Sequence, residues 1–158
     1  MVSEAPSAAV EKPSAGRVSI ARMDTEKLLD HFKKDRFATG NGIELLEISP
    51  GHARARMKVE ERHLNAAGVV QGGAVFTLAD YAFAGASNSR GQLALGVGAH
   101  VSFLKAVSGG VLVADAHEEA ASRRLCTCTV RVTDEGGELV ALFAGTAYRK
   151  DEPVPPAR

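Results

Sequence analysis

The chain has 158 residues, 45% of them hydrophobic and 24% charged, which suits one domain with a sizeable core and excludes two ordinary domains or a disordered chain. Its 19 Lys and Arg balance 19 Asp and Glu, so wholesale electrostatic capture of nucleic acid or of an anionic membrane is not expected, and small molecules or copies of the chain itself are the expected partners. No apolar stretch is long enough to cross a bilayer and no hydrophobic signal core opens the chain, so a cytoplasmic protein is expected.

Residues 1–22, rich in Ala, Ser and Pro, read as a flexible leader, residues 23–150 as the domain, and residues 151–158 as a flexible tail. In "MDTEKLLDHFKKDRF", Leu28, Leu29 and Phe32 at helical spacing behind Asp24 or Thr25 as cap predict one short amphipathic helix. "GIELLEIS" and "HARARMKVE", parted by Pro50-Gly51, predict two strands, the second burying Ala53, Ala55 and Met57 on one face. "GGAVFTLADYAFAGASNS" is apolar on nearly every side at 3.6 residues per turn and predicts a helix buried all round. Four long strands follow, in "LALGVGAHVSFLKA", "GVLVADAHEEAAS", "RLCTCTVRVTDEGG" and "ELVALFAGTAYRK", with tight links that imply antiparallel neighbours throughout. The order is that of an α+β protein whose curved antiparallel sheet wraps a long central helix. Cys126 and Cys128 share a strand face and read as small packing residues in a reducing compartment.

Asp80 is the one acidic residue between Arg62 and Arg90. An isolated carboxylate in an apolar helix is costly unless it is paired or used, which leaves a general base, a nucleophile, or a structural bond to a facing chain. Gly72 and Gly73 open that helix, where unpaired N–H groups and the positive dipole end favour an oxyanion, although a glycine pair also serves as a plain turn. Asn65, six residues before Gln71, offers an amide for a water or a substrate carbonyl, or a local turn. Along one helix Gly72 and Asp80 stand about 12 Å apart at roughly 1.5 Å per residue, too far to share a reacting centre. Two chains with antiparallel central helices would bring Gly72 of one to Asp80 of the other.

Read as N-x5-[HQ]-G-G-x6-D, followed by "LADYAFAGASNSRG", "VSFLKAV" and "LVALFAGTAYRK", residues 40 to 150 closely resemble the PaaI-like acyl-CoA thioesterases of the hot-dog fold. The resemblance implies hydrolysis of acyl-CoA thioesters, often aryl or phenylacetyl types, by a dimer or a dimer of dimers, with no metal or organic cofactor. It also implies that Asp80 is the catalytic carboxylate, Gly72 the backbone donor to the thioester carbonyl, and Asn65 of the same chain as Gly72 the group that orients water or substrate. Two positions depart from the pattern: Gln71 stands where His is common, and Gly96 where some relatives carry a serine, leaving Ser87, Ser89 or Ser102 to supply any hydroxyl. Arg90, Lys105, Arg123 and Arg124 are the candidates for the coenzyme A phosphates. A non-catalytic acyl-CoA-binding regulator or scaffold would use the same pocket, and Gln71 in place of His keeps that alternative open. A hydratase or dehydratase would need a histidine beside Asp80; none of the five falls beside it in the sequence, and His63 would have to reach it through folding.

Overall fold

The computed structural model describes residues 24–156; the leader assigned to residues 1–22 lies outside them. The single helix expected at the start is two. Asp24 caps α1 (Thr25–Phe32), accepting the Glu26 N–H, and Leu28 and Phe32 are buried. Asp35 then accepts the N–H groups of Phe37 and Ala38 at 3.0 and 2.9 Å, and this second cap restarts the chain as α2 (Arg36–Gly40). Strands β1 (Ile43–Ser49) and β2 (His52–Lys58) pair antiparallel across Gly51, which turns at φ +77°. Ala53, Ala55 and Met57 are fully buried, as their alternation requires.

The central helix α3 (Gly72–Asn88) lies against the inner faces of β2, β4 and β5. Small residues set that distance. A Cβ on Gly85 would sit 2.8 Å from Ala53 Cβ and 3.3 Å from Leu45 Cδ1, so overpacking, at about 1–3 kcal/mol, outweighs the roughly 1 kcal/mol that Ala adds in helix propensity. Gly85→Ala is expected to lower the urea midpoint of unfolding; an unchanged or higher midpoint would show that the helix and β2 move apart freely.

Strands β3 (Gln92–Phe103), β4 (Val111–Ala121), β5 (Leu125–Thr133) and β6 (Leu139–Pro153) complete one antiparallel sheet of order β1-β2-β4-β5-β6-β3. The short links before and after β5 are hairpins, as expected, but β3 and β4 are not neighbours. β4 pairs with β2 and β5 on its two sides, and β3 pairs with β6 at the edge. The seven residues 104–110 reach about 23 Å at 3.3 Å each, enough to span the three strand spacings of about 4.8 Å that part β3 from β4. This crossover is bonded on its way, Leu104 N–H to the Val140 carbonyl and the Val107 carbonyl to the Val70 N–H; its glycines serve the approach to β4 rather than a hairpin.

The last strand also runs past the boundary set at residue 150. Gln92 at the start of β3 pairs with Pro153, and the buried Val154 donates its N–H to the Gly91 carbonyl at 2.9 Å, so 151–154 belong to the domain because β3 needs them as partners. Cys126 and Cys128 are buried free thiols on the inner face. Among the described residues no helix is long and apolar enough to cross a membrane.

Candidate active site

α3 is not buried all round. Leu78, Ala79, Ala82 and Ala86 face the sheet with no exposure, whereas Gly73 and Asp80 are exposed and Ala74, Phe76, Thr77 and Ala84 half-buried. The uncovered positions 73, 76, 77, 80 and 84 recur at helical spacing and form one stripe. Asp80 stands in it, between a cavity of about 370 Å³ lined by Phe76, Phe83, Ser87, Gly96 and Gly98 and one of about 240 Å³ lined by Asp35, Phe37, Phe76 and Tyr81. These mostly apolar walls desolvate the carboxyl and raise its pKa above the ordinary 3.8, and the negative charge of Asp35 raises it further. The same two causes, in the same order, push the Tyr81 phenol to about 12.

The beginning of α3 is held from below. Gln71 donates its N–H to the His63 carbonyl at 2.8 Å. His63 is buried, its Nδ1 accepting the Glu60 N–H at 2.9 Å and its Nε2 donating to the Asn41 carbonyl at 3.0 Å. Both ring nitrogens are spent on backbone, so the histidine that a hydratase would need beside Asp80 has another task. The Gln71 side chain caps the helix by accepting the Gly73 N–H, and the N–H groups of Ala74 and Val75 go to the Gln71 carbonyl. In this first turn Gly72 alone keeps an N–H with no partner among the described residues. Of the two candidate oxyanion donors, Gly72 is therefore free and Gly73 is occupied by the cap. Gly72 also allows a close approach, since a Cβ there would stand 3.0 Å from the Phe103 ring.

Asn65 combines its two candidate roles. Its Oδ1 accepts the N–H groups of Ala67 and Val69 at 2.9 and 3.3 Å, shaping the turn that leads to Gln71. That fixes the amide plane and leaves the exposed Nδ2 protons without a partner among the described residues.

Among the described residues the set is divided between cavities. Gly72 lines one of about 350 Å³ with Phe103, Lys105 and Val107, and Gln71 and Gly73 one of about 430 Å³ with Phe37, Arg62 and His63. Asp80 lines neither. Of the three replacement hydroxyls only Ser87 reaches the Asp80 cavity; Ser89 accepts the Gly51 N–H at 2.7 Å, and Ser102 lies 3.3 Å from the His100 ring.

The four basic candidates are all engaged with carboxylates. Arg90 binds both oxygens of the half-buried Glu118, at 2.7 and 2.8 Å, and the buried Arg149 also donates to that carboxylate, which makes Arg90 the exposed member of an ion network. Lys105 is paired with Asp134 and Glu138, hydrogen bonds that raise its pKa and lower that of Asp134. At the β4–β5 tip Arg124 meets Asp151 at 2.6 Å, while Arg123 is 3.9 Å from it with a side chain 71% exposed and is the most available of the four. Asp35, Phe37 and Thr77 join the site only through the fold. Nothing local marks them, because α2 and α3 are adjacent only in the fold.

Residues 67–141 match the Thioesterase superfamily. The chain is 30% identical over 119 residues to the acyl-coenzyme A thioesterase PaaI of Escherichia coli K12, covering 75% of this chain and 85% of that one. The solved structure of the E. coli PaaI protein superposes with a TM-score of 0.77 at 28% identity, covering 81% of this chain and 94% of that one. A point mutant of the phenylacetic acid degradation protein PaaI from Thermus thermophilus is 38% identical, with a TM-score of 0.70 over 73% of this chain and all of that one. A hypothetical thioesterase protein from Streptococcus pneumoniae, solved with coenzyme A, is 25% identical, with a TM-score of 0.67 over 70% of this chain and 88% of that one. The hot-dog arrangement of α3 and the sheet, the glycine pair at the start of that helix and the extent of the match agree: the chain belongs to the thioesterase superfamily, on its PaaI-like branch, and is a thioester hydrolase.

Proposed function

We propose that the protein hydrolyses acyl-CoA thioesters, aryl and phenylacetyl types first among them, at two equivalent sites shared between chains of a two-fold dimer. The observation that carries this reading is the division of the chemistry within one chain. The free Gly72 N–H and the oriented Asn65 amide lie at one end of α3, and Asp80 stands in an uncovered apolar stripe about 12 Å along it at 1.5 Å per residue. A second copy with its α3 antiparallel would cover the stripe and bring Asp80 to the other chain's Gly72.

At such a site the thioester carbonyl accepts the Gly72 N–H, which stabilises the oxyanion as it forms. Asp80 either takes a proton from a water that attacks the carbonyl carbon and passes it to the departing sulfur as the C–S bond breaks, or attacks the carbon itself, expelling coenzyme A as the thiolate and leaving an acyl anhydride that a second-step water hydrolyses to free acid and carboxylate, its proton going to the thiolate. Carboxylate and N–H suffice, so the reading calls for no metal or organic cofactor. The aromatic rings of Phe76 and Phe83 beside Asp80 suit an aryl group. The coenzyme A found with the streptococcal relative supports the substrate class, and Arg123 is the first residue to test against its phosphates. Two buried free cysteines fit a reducing cytoplasm.

Release of free thiol from phenylacetyl-, benzoyl-, short-chain and long-chain acyl-CoA tests the reaction. Binding without release would favour the regulator, for which Gln71 in place of His is the specific argument. Light scattering that found only the 16.6 kDa species at micromolar concentration would remove the shared site. Since the Gln71 amide caps α3 and does not titrate near neutrality, Gln71→His is expected to keep the fold and much of the turnover, at a cap cost of about 1 kcal/mol. Abolished hydrolysis in an intact oligomer would show that the amide itself is required.

A further inference from the structure

The outer face of the sheet carries a group of side chains that the thioester chemistry does not use. His52 on β2 and His117 on β4 are direct cross-strand partners, and Asp115 is the partner of Arg54 two positions along. Strand alternation turns all of them away from Ala53 and α3. The two rings lie 4.6 Å apart, tilted by 41°. His52 Nε2 is 2.9 Å and His117 Nε2 2.7 Å from the same oxygen, Asp115 Oδ1. One atom from each of the three residues falls within 4.8 Å of the others.

We propose that His52, Asp115 and His117 bind a divalent transition-metal ion of the zinc, nickel or copper class, which fastens β2 to β4 across the outer face of the sheet. Three side chains bring one donor atom each within 4.8 Å of the others, two of them imidazole nitrogens. That donor set favours these metals over magnesium or calcium, which prefer oxygen alone. Bonds of about 2.1 Å in a tetrahedral site put neighbouring ligands about 3.4 Å apart, so the ligands need to open by about half an ångström. His117, with a side chain 58% exposed, has room to do so, and water completes the shell.

The surroundings also orient the ligands. Glu47 Oε1 and Ser49 Oγ lie 3.6 and 3.5 Å from His52 Nδ1, the place where a carboxylate commonly steadies a metal-bound imidazole. Arg54 Nε, 3.4 Å from Asp115 Oδ2, draws that oxygen aside and leaves Oδ1 to the histidines. Glu47 and Asp115 together offset the Arg54 charge and the charge of Arg131, which faces Asp115 from β5. Because α3 packs on the opposite face, the metal would act on the stability of the sheet and not on turnover.

The test is titration of the tag-free full chain with zinc sulfate by calorimetry, in parallel with thermal unfolding and with the visible spectrum of added cobalt(II). One zinc per chain is expected, with a Tm that rises with zinc concentration but not with magnesium. His117→Gln and His52→Gln should each weaken binding tenfold or more while leaving basal thiol release unchanged. If the double variant His52→Gln, His117→Gln binds zinc as the parent does, or if binding is lost only when Cys126 and Cys128 are replaced by Ser, the site is wrong. Absence of zinc-dependent heat or Tm shift in the parent overturns it equally.

Discussion

Asp80→Asn is expected to lower turnover by about 100-fold or more while acyl-CoA still binds, because Asn keeps the size of the side chain and some hydrogen bonding but is neither base nor nucleophile. The wild-type pH profile should carry the mark of the site. Desolvation by the apolar walls of Phe76 and Phe83, reinforced by the charge of Asp35, raises the carboxyl above 3.8; the active form is the carboxylate, so kcat/KM climbs with pH through a value above the ordinary one. Asp35→Asn, which keeps a capping side chain for α2, should move that limb to lower pH. The sign for stability follows from the same shift. A carboxyl whose pKa is raised on folding stabilises the folded state below its unfolded value and loses that contribution as pH rises through the folded value. Asp80→Asn should therefore unfold at a higher temperature than the parent at neutral pH, and the difference should shrink below pH 3.8. An Asn variant within a few-fold of parental kcat would remove Asp80 from the chemistry.

Mixing two inactive proteins should restore activity. Asn65→Ala removes the oriented amide at one end of α3, and Asp80→Asn removes the carboxylate farther along. If the two are unfolded together and reassembled at random, half of the dimers are mixed and each mixed dimer holds one intact site, so about a quarter of parental activity should return under two-fold symmetry. Neither variant assayed alone should show it. Recovery near zero from dimers shown to be mixed and folded would mean that the two residues serve one chain's site.

The central helix and the strands were legible because their patterns are local: alternation buries Ala53, Ala55 and Met57, and a long apolar run cannot stay in solvent. What was misread depends on partners distant in the chain. Pro50-Gly51 and Ser108-Gly109-Gly110 look alike as turns, yet one closes a hairpin and the other ends a crossover, because β4 already has a neighbour on each side. Asp35 looks like one more residue of a helix until its carboxylate captures two N–H groups and starts another. The stripe on α3 was counted as core because its uncovered Phe76 and Ala84 have the same apolar character as the residues that face the sheet. Asp80, Gly72 and Asn65 stood out by residue type and spacing. The basic candidates did not reveal their pairing, since Arg90 finds Glu118 through strand placement across 28 residues.

The crossover that sends β3 to the far edge also has a consequence for synthesis. β3 has a single partner, β6, which is made last: Gln92 waits for Pro153 and Phe103 for Ala141. Through that interval a nascent chain carries Leu95 and Val97 on a strand with both edges unpaired, a template for pairing with neighbouring chains. Chains cut short before β6 should therefore collect in aggregates rather than as folded fragments, since Gly96 and Gly98, the walls beside Asp80, have nothing to lie against until the final strand arrives.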